Sequence, residues 1–188
     1  DTNSSNIEIK ALNTDTIVDP VEGVPGETVV VNITVVDEKD NPVRDGNVTV
    51  VLPDGSIQTV AVNNGSASVN WTIPQDYVSG DYPVNVTYEG TGVYNPSNGT
   101  GNVTVGALNT TTAVGDVSGK PGETITINIS VMDQNGNPVR DGDIVVVLPD
   151  GSNQTVTVNN GSASVNWTIP RVGKECYSRG GARWPGYH

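Results

Sequence analysis

The chain has 188 residues and a formal charge of −12, from 21 acidic against 9 basic residues, with 22 glycines, 12 prolines, no phenylalanine and a single cysteine. That charge repels nucleic acid and anionic lipid, so neither is expected as a partner, and one cysteine excludes an intrachain disulfide. No run of 18 apolar residues is present, so no membrane insertion is expected here, and Asp1–Ser5 does not read as a signal peptide; targeting and anchoring parts are expected outside this chain.

Along the chain, Asn6-Ile7-Glu8-Ile9-Lys10 alternates polar and apolar side chains. Residues 1–10 are expected to be the last strand of a preceding repeat, or a linker. Pro25-Gly26 then introduces Thr28–Val36, where Val29, Val31, Ile33 and Val35 share one face. Val48, Val50 and Leu52 form the next inward set, followed by Ala67, Val69, Trp71 and Ile73. Val84, Val86 and Tyr88 come next, and Val103 with Val105 closes the series. The pairs Asp45-Gly46, Asp54-Gly55, Asn64-Gly65 and Ser79-Gly80 stand between these runs and supply residues that tolerate positive φ. Short strands with one apolar face, joined by such turns, predict an all-β antiparallel β-sandwich.

Residues Ala11–Pro74 then return as Ala107–Pro170 at a constant offset of 96, with 45 of 64 positions identical and no insertion. A unit this long is a whole domain in tandem, not a solenoid repeat. Residues 11–106 are expected to form one complete sandwich and 107–170 a partial one. In the second copy Ile125, Ile127, Ile129 and Val131 keep the apolar face, while the opposite face becomes Thr126, Asn128, Ser130 and Met132. That asymmetry identifies the core side.

After Pro170 the repeat stops. Residues 171–188 lack alternation and hold Cys176, His188 and four of the nine basic residues. Two readings stand: an artefact such as a shifted reading frame or a truncated gene, which is preferred, or a basic-aromatic tail that binds an anionic polymer. A second sandwich ending there would expose an open edge that a strand from another subunit could complete.

Thirteen Asn-X-Ser/Thr sequons occur, at Asn3, Asn32, Asn47, Asn64, Asn70, Asn85, Asn98, Asn102, Asn109, Asn128, Asn153, Asn160 and Asn166. Asn32, Asn47, Asn70, Asn85, Asn102, Asn128 and Asn166 fall on outward strand positions, and Asn64, Asn98 and Asn160 are expected in turns. None falls on the core face, as a glycan requires. They are candidate glycosylation sites in a host that exports the protein and carries the machinery.

Catalytic chemistry finds little to build on. His188 is the only histidine and Cys176 has no histidine partner within the repeat, so no triad or general base is expected. No cofactor is expected. Asp37, Asp40 and Asp45, with Glu38, lie in one loop and are weak calcium candidates. The second copy reads Asp133, Gln134, Gly136 and Asp141 and so loses two of the four charges; the alternative is that the acids shape the turn. Trp71 and Trp167 read as core rather than as sugar platforms. Tyr82 is placed for a hydrogen-bonded corner at the start of its strand, and Tyr77, Tyr82 and Tyr94 could otherwise stack on a glycan ring. Lys10, Lys39 and Lys120 fall in turns or linkers, which argues against a self-made isopeptide cross-link.

The ordered set Asn109-Thr110-Thr111-Thr112, Lys120-Pro121-Gly122-Glu123-Thr124, Asn137-Pro138-Val139, Asp141-Gly142, Gly65–Val69, Gly80-Asp81-Tyr82-Pro83, Thr87-Tyr88-Glu89-Gly90 and Val103-Thr104-Val105 resembles the bacterial and archaeal Ig-like domains strung together in large surface adhesins. The likeness covers residues 11–170, and the Asn, Thr and sequon usage most resembles adhesin-like proteins of methanogenic archaea. The resemblance implies tandem Ig-like sandwiches, the second incomplete, in a non-catalytic extracellular module of the cell surface. On that expectation the module extends and presents a distal adhesive region, its partners being neighbouring repeats joined by short links such as Gly106-Ala107-Leu108, in a moderately stiff rod. The alternative is that the domains themselves bind a host glycan or a cell-wall polymer.

Overall fold

The structure is a computed structural model that describes residues 2–171; those residues contain strands and turns and no helix. The chain divides between Leu108 and Asn109 into two compact units, two residues beyond the boundary expected after Gly106. Residues 2–10 carry no strand and are exposed throughout. The tail reading concerns residues 171–188 and, apart from Arg171, lies outside the described residues.

The first unit contains β1 (Thr14–Val18), β2 (Val21–Gly23), β3 (Thr28–Asp37), β4 (Asn47–Val51), β5 (Ile57–Ala61), β6 (Ser66–Thr72), β7 (Gly80–Tyr88) and β8 (Ser97–Val105). They form two sheets, in the order β1-β3-β6 and β2-β8-β7-β4-β5. Neighbours run antiparallel except β2 and β8, which are parallel, with Val21 opposite Val103, Glu22 opposite Thr104 and Gly23 opposite Val105. The two-residue period sets the packing. In β3, Val29, Val31, Ile33 and Val35 are buried, and Val29 and Val31 lie opposite Trp71 and Val69 of β6. The facing sheet supplies Val48, Val50, Val84, Val86, Tyr88, Val103 and Val105, all buried in the same cluster. Every inward position expected of this unit is therefore in its core.

Turn geometry follows the glycines, with positive φ at Gly26, Gly46, Gly55 and Gly65, and Asn64 beside the last at φ 49°. Gly80 instead opens β7. One element is longer than the sequence signals. Ser97-Asn98-Gly99-Thr100-Gly101 reads as a turn, yet it is the first half of β8 and pairs along its whole length with β7. Asn98 is thus a strand residue opposite Thr87, not a turn residue. The reason is the neighbouring edge strand. A side chain at Gly99 would collide with the Thr16 carbonyl, and one at Gly101 would meet Val18 Cγ1 at 2.6 Å. Glycine there lets β1 lie directly against β8. Thr14 Oγ1 donates to the Asn95 carbonyl at 2.8 Å across that seam, and Thr16 and Ser97 share a hydroxyl hydrogen bond of 2.7 Å.

The second unit contains β9 (Thr110–Val114), β10 (Thr124–Asp133), β11 (Asp143–Val147), β12 (Asn153–Thr157) and β13 (Ser162–Thr168). They make a three-stranded sheet, β13-β10-β9, and a two-stranded one, β11-β12. The register repeats that of the first unit, with Ile125, Ile127 and Ile129 opposite Trp167, Val165 and Ala163. Among the described residues nothing corresponds to β7 and β8. The consequence is visible in burial. Ile144, Val146 and Trp167 are only partly buried, whereas Val48, Val50 and Trp71 at the same repeat positions are buried.

Candidate functional site

Of the calcium candidates, Asp37 gives its carboxylate to the backbone of its own turn. Asp37 ends β3 and is buried, and its Oδ1 accepts the N–H groups of Lys39 at 2.8 Å and Asn41 at 3.0 Å. The Asn41 N–H above all holds its carboxyl below the usual aspartate range, against the opposing effect of burial. Asp133 Oδ1 makes the same two hydrogen bonds, accepting from the N–H groups of Asn135 and Asn137 at 2.9 Å each. Asp40 has φ 61°, and its counterpart Gly136 has φ 81°; the position selects a left-handed backbone, so the carboxylate is dispensable there. Glu38 Oε2 accepts from Asn13 Nδ2 at 3.2 Å, and Gln134 Oε1 accepts from the Asn109 N–H at 3.1 Å, so the second copy keeps that brace without the charge. Asp45 contributes its backbone carbonyl to the Tyr88 hydroxyl at 2.8 Å. Among the described residues no three His, Cys, Asp or Glu side chains gather as a metal would require.

The aromatic side chains of the first unit pack in or against its core. Trp71 and Tyr94 are buried, and Tyr77 and Tyr82 pack against the same core. Tyr77 meets Trp71 edge-on at 5.7 Å and Tyr82 at 4.7 Å between ring centroids, so the three tyrosines do not form an exposed row. The expected corner is present, with the Tyr82 hydroxyl donating to the Val78 carbonyl at 2.9 Å. Burial raises the Tyr88 hydroxyl above the usual tyrosine range, with the charge of Asp45 acting the same way. Lys10, Lys39 and Lys120 are exposed, and none is placed in a core for a cross-link.

One pair escaped the sequence reading. Asp54 closes the turn after β4 through Oδ1, which accepts both the N–H and the hydroxyl of Ser56 at 2.9 and 2.6 Å, while Oδ2 accepts the Trp71 indole N–H at 3.0 Å. The Ser56 hydroxyl first, then the indole, holds the Asp54 carboxyl below its usual value. Asp150, Ser152 and Trp167 repeat the arrangement, with an indole bond of 3.1 Å. The signal was available, because Asp and Trp recur 17 residues apart in both copies.

All thirteen sequon asparagines are exposed. Asn32 and Asn70 project from the outer face of β3 and β6; Asn47, Asn85, Asn98 and Asn102 project from β4, β7 and β8. Asn128 and Asn166 take the equivalent places on β10 and β13, Asn153 opens β12, and Asn64 and Asn160 sit in the left-handed position of tight turns. On the β7–β8 ladder, Asn85 Oδ1 accepts from Thr100 at 3.1 Å and Asn98 Oδ1 from Thr87 at 2.8 Å. Those bonds use the carbonyl end of each amide.

No family model matches the chain, and no curated protein does. Among solved structures it is similar to the Yersinia pseudotuberculosis adhesin InvE, at 18% identity and TM-score 0.38 over 84% of this chain and 51% of that one. It is also similar to a 1.5-MDa bacterial ice-binding adhesin, at 20% identity and TM-score 0.39 over 86% and 55%. A third is the Escherichia coli adhesin FdeC, at 15% identity and TM-score 0.39 over 84% and 55%. The chain thus spans about half the length of each of these structures. Likeness at this level carries no argument about activity. The strand order of the first unit and the repeated register of the second themselves define the class: an Ig-like β-sandwich followed by a second copy of which β9–β13 lie among the described residues.

Proposed function

We propose that the chain is a non-catalytic, extracellular module of an adhesin-like surface protein, whose sandwiches space and present a distal binding region. The observation that carries this is what differs between the two copies. At inward positions Val29, Val31 and Val48 become Ile125, Ile127 and Ile144, one aliphatic side chain for another. On exposed or partly exposed positions of β1, β3, β4 and β5 the chemistry crosses class, with Asp15, Val30, Thr49 and Ile57 replaced by Thr111, Thr126, Val145 and Asn153. A chain that keeps its core and turns while changing those faces is kept for its fold. Glycans on the exposed sequons belong to the same reading, as does the affiliation with methanogen-type surface proteins that the Asn- and Thr-rich composition resembles.

One observation favours the alternative, in which the sandwich itself binds a glycan or cell-wall polymer. The outer face of β6, with Ser66, Ser68, Asn70 and Thr72, returns unchanged on β13 as Ser162, Ser164, Asn166 and Thr168. The two readings separate on a glycan and cell-wall polymer array probed with the full chain. A spacer gives no saturable binding, and the source cells yield surface peptides carrying glycan at Asn70 or Asn85. Saturable binding that is lost in Ser68→Lys/Ser164→Lys sinks the spacer reading and replaces it with the β6–β13 face.

A further inference from the structure

Four Asn-Gly pairs occur in the chain, at Asn64-Gly65, Asn98-Gly99, Asn135-Gly136 and Asn160-Gly161. Such a pair carries its own reagent. The glycine amide nitrogen can attack Cγ of the asparagine before it, since glycine has no Cβ to stand in the way. An N–Cγ bond then forms and the Cγ–Nδ2 bond breaks. The glycine amide proton leaves with Nδ2 as ammonia, and the product is a cyclic imide. Water opens the imide at either carbonyl, giving aspartate or, with one more carbon in the backbone, isoaspartate. The reaction needs a glycine N–H released from hydrogen bonding and a backbone free to swing that nitrogen onto Cγ.

Three of these pairs are held against it. Gly65 and Gly161 are buried, and their N–H groups donate to the Val43 and Val139 carbonyls at 2.6 Å each. Their own carbonyls accept from the Val35 N–H at 2.8 Å and the Val131 N–H at 2.9 Å. Asn64 and Asn160 are fixed at φ 49° and 47°. A Cβ on Gly65 would stand 2.6 Å from Pro42 and one on Gly161 2.5 Å from Pro138, so the backbone there has no room to swing. Asn98 and Gly99 lie within the β7–β8 ladder, with Gly99 opposite Val86 and packed against the Thr16 carbonyl. The Thr87 hydroxyl holds Asn98 Oδ1.

Asn135-Gly136 is under none of these restraints. Both residues are exposed, and Gly136 donates to the Asp133 carbonyl of its own turn at 3.0 Å. Nothing lies within 4 Å of the place its Cβ would take. Asp40, the repeat counterpart of Gly136, is exposed in the first unit too, so the openness belongs to the turn itself. Lys39 stands there in place of Asn135, and lysine has no amide to lose.

We propose that Asn135 is a site of spontaneous modification: in the folded protein the Gly136 nitrogen converts it to isoaspartate and aspartate, while the fold keeps Asn64, Asn98 and Asn160 as amides. The product alters the turn. Asp133 Oδ1 accepts the N–H groups of Asn135 and Asn137, and the Asp133 N–H donates to the Asn137 carbonyl at 2.8 Å. Isoaspartate lengthens the backbone between these partners by one methylene and sets a second carboxylate beside that of Asp133. The reaction loses ammonia and does not run backward. Two copies of one turn therefore age differently, the second by this chemistry and the first not.

The test follows the full chain, made in a host that lacks a sequon transferase so that no glycan masks Asn64, Asn98 or Asn160. It is held folded at mildly alkaline pH and sampled over days, and each Asn-Gly peptide is mapped by mass spectrometry. Asn135 is expected to convert ~10-fold faster than the others or more, since theirs requires local opening that costs upward of about 1.4 kcal/mol. In urea the rates should converge. A protein isoaspartate methyltransferase with a labelled methyl donor should mark the aged chain, and Asn135→Lys, the first copy's residue, should remove that mark. Equal rates at all the Asn-Gly sites of the folded chain overturn the proposal. So does an Asn135 that stays an amide while the unfolded chain reacts, or methyl labelling undiminished by Asn135→Lys.

Discussion

Gly46 and Gly142 occupy the same repeat position, with φ of 103° and 116°, in a region that side chains rarely adopt. Alanine at either costs about 1–3 kcal/mol in backbone strain. At Gly46 a Cβ would also stand 2.6 Å from the Tyr88 ring, whereas at Gly142 nothing lies within 4 Å. Gly46→Ala is therefore expected to cost a further 1–3 kcal/mol or so through overpacking, read as a larger drop in the urea midpoint of its unit. Asp54 supplies a second prediction at this scale. Its carboxyl titrates below the ordinary aspartate value of 3.8 when folded, so its contribution is complete above that value and is lost as pH falls through the lower folded one. Asp54→Asn should flatten the acid limb of the first unit's stability as pH falls below the ordinary aspartate value of 3.8, measured by urea midpoints across that limb. If the limb keeps its slope, the carboxylate is not what holds Trp71.

Strands, rather than residues, decide how firmly each unit is held. Val50 is buried with β7 paired beside its strand, while Val146, its repeat counterpart on β11, is partly exposed. Val50→Ala is expected to cost about 2–3 kcal/mol and Val146→Ala about half of that, since the cavity term needs a closed surround; equilibrium unfolding of both variants checks the ratio. The same dependence on neighbours explains which strands could be read in advance. β3, β4, β6 and the second half of β7 announce themselves, because alternating Val, Ile and Trp side chains fill a face whatever the partner. β2 does not, because three residues become a strand only where β8 lies alongside, and Val117–Gly119 repeats its end residues without the ladder. The first half of β8 was hidden by Gly99 and Gly101, which punctuate a sequence but here make room for β1. β5 presents Gln58 and Val60 inward at a sheet edge, too weak an alternation to stand out. Of the candidate sites, the exposure of Asn32, Asn47, Asn70, Asn85, Asn102, Asn128 and Asn166 followed from strand register alone. The turn roles of Asp37 and Asp40 stood there only as the alternative to calcium, since they rest on backbone N–H directions and a left-handed φ that sequence leaves unstated.

For the whole molecule, two cores of unequal completeness predict two unfolding steps. Tryptophan fluorescence in urea should show an early transition from the second unit and a later one from the first. Trp167→Phe removes the early change and Trp71→Phe the late one. A single transition common to both variants would mean that the units unfold together. The three-stranded sheets β1-β3-β6 and β9-β10-β13 share one register in both units, so the expected difference in stability traces to the hairpin of β7 and β8.

The parallel pairing of β2 with β8 bears on a different property, the response to pulling. β2 stands near the entry of the first unit and β8 at its exit, and they run the same way. Tension applied at the two ends of that unit therefore drags the strands past each other, loading their bonds together in shear instead of opening them one at a time. Drawn at constant speed from its two ends, the first unit should yield at a higher force than the second, where Val117–Gly119 pairs with no strand among the described residues. In the proposed spacer role that load falls on three paired residues at one edge of the sandwich.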